Sequence, residues 1–146
     1  MKSTLLTLLL ALTVMACGSS QTEGTTALDS YLAVKDALVA TNAQKASEAA
    51  KAFLEVNTNP SLKTPLQMIA HATDVNAQRK AFEELSMSMY DFVKSESPGV
   101  TLYKQYCPMA FNNKGAYWLA KEEQVNNPYF GDVMLHCGHV QETIGE

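Results

Sequence analysis

Residues 75–94 read VNAQRKAFEELSMSMYDFVK, and this stretch sets the fold class. Gln78, Ala81, Phe82, Leu85, Met89, Phe92 and Val93 recur at helical spacing and fall on one stripe, while the charged residues lie elsewhere. Thr73-Asp74 supplies an N-cap ahead of the run, and Ser97-Pro98-Gly99 stops it. Upstream, no Pro or Gly interrupts residues 26–56. Leu28, Leu32, Val39, Ala46, Ala50 and Phe53 form a second stripe there, flanked by Tyr31 and Leu38, with Lys45, Glu48 and Lys51 turned to water. Thr26 and Asp29 have capping-box spacing, so the pattern predicts one long helix ending at the turn cluster Asn57-Thr58-Asn59-Pro60. Thr64, Pro65 and Gln67 open a short helix that reaches about Ala72.

Two long helices and a short one, joined by short connections, predict a mainly α protein built as an antiparallel bundle. The last third differs. Val100 to Cys107 suits a short strand, Asn112-Asn113-Lys114-Gly115 a turn, and Ala116 to Leu119 either a strand or a helix start. Asn126-Asn127-Pro128 is another break, and Met134 to Val140 reads as a further strand. The expectation is a small, turn-rich C-terminal appendage containing short strands.

The N-terminus predicts an address. Met1-Lys2 precedes an apolar run from Leu5 to Val14, too short for the ~20 residues of a membrane-spanning helix but right for a secretory signal. Its exit, Val14-Met15-Ala16-Cys17, resembles the lipobox of bacterial lipoproteins, in which the cysteine is lipidated and becomes the first residue. Gly18 to Thr25 contains no apolar residue and reads as a tether. The chain therefore divides into a leader at 1–16, an anchor and tether at 17–26 and one domain at 27–146. Loss of Lys2 leaves ten basic residues against fifteen acidic, a net charge of −5. That balance is mildly acidic and without pattern, which argues against nucleic acid as a partner.

Once Cys17 serves as the anchor, Cys107 and Cys137 remain, in an oxidising compartment. They belong to two short segments, Cys107-Pro108-Met109 and Met134-Leu135-His136-Cys137-Gly138-His139. Thiolate and thioether select monovalent copper or silver, whereas calcium and magnesium prefer oxygen. The candidate metal ligands are Cys107, Met109, Met134 and Cys137, with His71 as an accessory. Cys107 and Met109 would share a face on an ideal strand, with Pro108 marking an edge or turn. Two alternatives stand beside this. Cys107 and Cys137 can pair as a disulfide closing a 29-residue loop, worth ~3–4 kcal/mol. Zinc can also be held by the two cysteines with one or both of His136 and His139.

The segments Tyr106-Cys107-Pro108-Met109-Ala110, Gly115-Ala116-Tyr117-Trp118-Leu119, Asn127-Pro128-Tyr129-Phe130-Gly131 and Met134 with Cys137-Gly138 resemble an uncharacterised bacterial domain. That domain occurs as single lipoproteins and is appended to periplasmic adaptor proteins of copper/silver efflux pumps. Ala70-His71-Ala72, Gln78-Arg79, Phe82 and Leu85-Ser86 are similar to it as well, so the likeness spans roughly residues 28–142. Cys-Pro-Met also resembles the opening of small heavy-metal-binding modules of those systems. Their second Cys-rich element is reduced here to Cys137-Gly138. The resemblance implies heavy-metal handling by association, and an efflux adaptor or pump as partner.

The expected protein is thus an exported, periplasmic lipoprotein, anchored in the inner or the outer membrane, that binds a soft ion. A disulfide-stapled interaction module and a zinc-binding domain are the other readings. An enzyme is not expected, because the chain has no Cys-x-x-Cys pair, phosphate loop or nucleophile elbow. Replacing Cys17 with serine should abolish lipidation and release the mature protein from membranes or trap the precursor. Fractionation and intact mass report this, and unchanged membrane partition of the mature Cys17→Ser protein would refute the anchor.

Overall fold

The computed structural model describes residues 20–97 and 99–145. The leader, Cys17 and Pro98 lie outside them. Four helices come first: α1 (Ser20–Val39), α2 (Ala43–Val56), α3 (Pro60–His71) and α4 (Val75–Glu96). Each packs on the next, and α4 returns to α1. Three short strands follow, β1 (Leu102–Cys107), β2 (Ala116–Ala120) and β3 (His139–Ile144), forming one antiparallel sheet in the order β2-β1-β3. The fold is mainly helical with a small C-terminal sheet, and no described helix is long and apolar enough to cross a membrane.

The single long N-terminal helix of the sequence reading is two helices. Its first half starts at Ser20, within the stretch read as tether, and buries Leu28, Tyr31, Val34 and Leu38. The chain then turns at Thr41, whose φ is +53°, with Thr41 N–H bonded to the Leu38 carbonyl and Asn42 N–H to the Ala37 carbonyl. This is a Schellman-type C-terminus with threonine where glycine is usual. Asn42 then caps α2 by accepting from Lys45 N–H at 2.9 Å. Without Gly or Pro at the corner, local sequence gives almost no stop signal. The short helix also begins a turn earlier than expected, with Asn59 as N-cap and Pro60 rather than Pro65 in its first turn. Helix α4 matches its expected span, and Asp74 caps it by accepting from Ala77 N–H.

One core joins the helices to the sheet. Tyr31 is fully buried and stacks on Phe82 of α4, with ring centroids 5.2 Å apart. Its hydroxyl shares a 2.8 Å hydrogen bond with Ser86 and accepts from Leu119 N–H of β2 at 3.0 Å. Burial pushes the phenol well above its ordinary range, so this group stays a neutral donor and acceptor. Lys35, one turn on, is buried and pairs with Glu122 in the segment after β2, and with Asp36 at 3.1 Å.

The central strand has both faces covered. Lys104 lies over the rings of Tyr90 (α4) and Tyr117, on the helical side. Gln105 points the other way, donating to the carbonyls of Glu122, Glu123 and Gln124. Residues two apart share a strand face, so Cys107 faces the same C-terminal segment as Gln105. That segment is mostly turn. Gly131–Val133 is one 3-10 turn, and the proposed strand from Met134 starts only at His139. Cys137 N–H bonds to the Met134 carbonyl, which coils residues 134–137 out of extended geometry.

Truncating Phe82, which contacts the Tyr31 and Tyr129 rings, to alanine should cost ~3–5 kcal/mol in urea unfolding. A loss below ~0.5 kcal/mol would place Phe82 outside the core.

Candidate functional site

The two thiols that lie 30 positions apart in the chain meet in space, with Cys107 Sγ and Cys137 Sγ 3.0 Å apart. Cys107 ends the central strand and is fully buried, while Cys137 precedes β3 and is half-buried. Neither is in a disulfide. The hydrogen bond with Cys107, followed by partial burial, pushes the Cys137 thiol above its ordinary value.

Backbone geometry brings the pair together. Tyr106 on β1 is opposite His139 on β3, so the residues just beyond, Cys107 and Gly138, are neighbours. Gly138 has φ +142°, and a Cβ there would lie 2.8 Å from the Tyr106 carbonyl oxygen. Only glycine lets the chain pass this close to β1. Asn127 holds the other side. Fully buried, it donates from its amide to the Cys137 carbonyl at 2.8 Å and accepts from Tyr129 N–H at 2.8 Å, while its own N–H bonds to the Leu135 carbonyl.

Asn127-Pro128-Tyr129-Phe130-Gly131 is therefore the clamp that fixes the Cys137 turn. Tyr129 donates to the Tyr117 carbonyl and contacts the rings of Phe82, Phe111 and Trp118. Arg79 of α4 fastens the clamp to the helices. The residue is 7% exposed, and its guanidinium donates to the Pro128 carbonyl (2.9 Å), the Leu38 carbonyl (3.3 Å) and Thr41 Oγ1 (3.1 Å). Thr41 in turn donates to Asp132 at 3.0 Å. Burial pulls the Arg79 pKa below its ordinary value, and the carboxylates of Asp132 and Asp74 oppose that shift. Gly131 has φ +58°, and a Cβ on it would fall 2.2 Å from Thr41 Oγ1 and 2.7 Å from Arg79 Nη2.

The other sequence candidates have settings of their own. Met134 is half-buried in the same turn as Cys137. Met109 follows the end of β1 and is 48% exposed. It is not a strand residue, so the shared-face expectation for Cys107 and Met109 does not hold. Pro108 lies in a turn, one of the two placements expected for it. His71 is exposed, donates from Nδ1 to the Gln67 carbonyl (2.7 Å), and lines a groove between α2 and α3 with Ser47, Glu48 and Lys51. His136 bonds to the Val125 carbonyl at 2.7 Å, and His139 lies edge-on to Tyr106. Among the described residues no three His, Cys, Asp or Glu side chains converge as a metal-binding group.

The profile of a family described as "Protein of unknown function (DUF3347)" matches residues 27–100. The chain belongs to that family. The matched stretch runs from within α1 through α4 and includes Tyr31, Thr41 and Arg79, whereas both thiols lie beyond it. No curated protein and no solved structure matches the chain.

Arg79 and Asn127 were not singled out by sequence reasoning as functional residues. The signal for Asn127 was its place in the Asn-Pro-Tyr-Phe-Gly turn, and for Arg79 its place in the Gln78-Arg79 pair of the resemblance, since helical periodicity alone makes it an ordinary polar residue. Replacing Arg79 with lysine removes the planar fork and leaves buried carbonyls without donors, which should cost ~2–3 kcal/mol. Equilibrium denaturation checks this, and a change within ~0.5 kcal/mol would show that the fork is not needed.

Proposed function

We propose that the reduced protein is a binding module that captures one monovalent copper or silver ion between Cys107 and Cys137. The observation that carries this is the 3.0 Å approach of two thiols from distant parts of the chain. Thiolate is the preferred donor for such ions, and monovalent coinage metals accept as few as two ligands. Zinc favours four, and His136 and His139 are engaged at the Val125 carbonyl and the Tyr106 ring instead. Metal–thiolate bonds of about 2.3 Å hold two sulfurs on one ion roughly 3.8–4.6 Å apart, so the pair opens by about 1 Å or more on binding. Cys137 sits on a turn, which accommodates that movement more cheaply than the central strand does. Met134 in the same turn and Met109 two residues past Cys107 are the nearest thioethers along the chain, and they add selectivity. His71, which lines the groove of α2 and α3, enters the proposal as an accessory ligand.

The cellular setting belongs to the same proposal. The lipobox-like exit at Cys17 supports an exported, lipid-anchored protein, and the resemblance to domains on efflux adaptors supports an adaptor or pump as partner. A second reading, a disulfide-stapled interaction module, is favoured by the complete burial of Cys107, since a buried sulfur suits a permanent crosslink.

One titration separates them. In the Cys17→Ser chain, competition with a cuprous chelator under anaerobic, reducing conditions should show one tight site, lost on changing Cys107 or Cys137 to serine. Leucine at Met109 or Met134 should weaken copper more than zinc. Affinity should rise with pH because binding displaces thiol protons. Equal, weak competition by reduced protein and the double cysteine variant would leave the stapled module as the better account.

A further inference from the structure

The two sulfurs differ in how far they reach solvent. Cys107 is sealed at the end of the central strand with no exposed surface, while Cys137 is half-buried on a turn that reaches solvent. From this asymmetry we propose that the pair is an ordered thiol switch, in which Cys137 exchanges first with a small-molecule disulfide and buried Cys107 resolves the adduct. As a regulator of ion capture, the switch rests on the soft-ion reading above; as thiol chemistry, it stands without it.

The exchange partner is a low-molecular-weight disulfide, R–S–S–R, such as oxidised glutathione. The Cys137 thiolate attacks one of its sulfurs, the R–S–S–R bond breaks, and Cys137–S–S–R forms with release of the first RS⁻. The Cys107 thiolate then attacks Cys137 Sγ, the mixed bond breaks, and the second RS⁻ leaves as the Cys107–Cys137 disulfide closes. The two thiol protons pass to the two released thiolates. Two electrons move from the protein pair to the reagent, so the protein is oxidised and the reagent is reduced to two thiols.

Position makes the order. An external disulfide reaches Cys137 without unfolding the sheet, but it reaches Cys107 only after local opening. Once Cys137 carries the adduct, Cys107 is the adjacent sulfur, because Asn127 pins the Cys137 carbonyl and Gly138 keeps the chain against β1. Closing the disulfide removes both thiolates as donors. Oxidised protein therefore releases or refuses the ion, and reduction restores capture.

The test uses the full chain carrying Cys17→Ser, so that only two thiols are present, with oxidised glutathione as the probe and intact mass as the readout. With Cys107→Ser added, a stable single glutathione adduct should accumulate on Cys137. With Cys137→Ser added instead, adduct formation should be at least about tenfold slower in native buffer and become fast in denaturant. The Cys17→Ser chain with both other thiols intact should lose them and retain no adduct. A short pulse of a thiol alkylating reagent on that same chain, mapped by peptide mass, gives the order without further substitution: Cys137 should be labelled first. Equal labelling, or faster labelling of Cys107, overturns the switch. If the order holds but cuprous competition is the same for reduced and oxidised protein, the thiol chemistry stands and the ion-binding reading fails. If copper binds only the reduced protein while both cysteines label equally, the ordering fails alone.

Discussion

Arg79 carries a charge that stays on the guanidinium at any ordinary pH into a position that is 7% exposed. Each N–H it turns inward must find an acceptor, since an unpaired buried charge costs several kcal/mol. The acceptors come from two places distant in sequence: the α1–α2 corner, through Leu38 and Thr41, and the C-terminal clamp, through Pro128. Satisfying one side chain thus fixes where the chain turns between α1 and α2 and where the clamp lands. Thr41 sits at positive φ, uncommon for a β-branched residue, and its hydroxyl explains why. It accepts from Arg79 and donates to Asp132, which glycine at that position could not do.

Tyr31 makes the second connection between the layers, by a different kind of bond. Stacking on Phe82 and hydrogen bonds to Ser86 and Leu119 N–H join α1, α4 and β2 through one side chain. With β2 set against the helices, β1 presents Lys104 to that side and Gln105 and Cys107 to the other. The segment that covers this second face is held by backbone carbonyls and turns, not by a strand ladder. Cys137 consequently approaches Cys107 from a turn. This places one sulfur on a rigid element and its partner on a more adaptable one, an arrangement suited to a pair that must separate for an ion or close into a bond.

The periodicity of α4, capped by Asp74, was legible because one face of Phe82, Leu85 and Met89 meets the core along the whole length. The same signal overreached on residues 26–56. Apolar spacing continues in phase across residues 40–42, where the local sign of a break is a cap residue, Asn42, and Arg79, almost 40 positions away, bonds to the corner. The C-terminal strands were only partly legible: β1 was expected, β2 was one of two options, and β3 begins five residues later than the strand read from Met134. Short strands in a three-stranded sheet are fixed by partners, and their own propensity is weak.

Local sequence carries the mainly helical class, the stripes that build the core, the turn at Asn127-Pro128 and the membership of Cys107 and Cys137 in two unusual sulfur-bearing segments. These are properties of neighbouring residues, and local periodicity and turn chemistry carry them. Three-dimensional packing sets α1 apart from α2, gives the C-terminal clamp to Arg79 and Asn127, and seals one thiol while its neighbour stays half-open. Each of these depends on contacts between residues tens of positions apart, and burial of a charge or a sulfur is set by what packs over it, which local sequence does not encode.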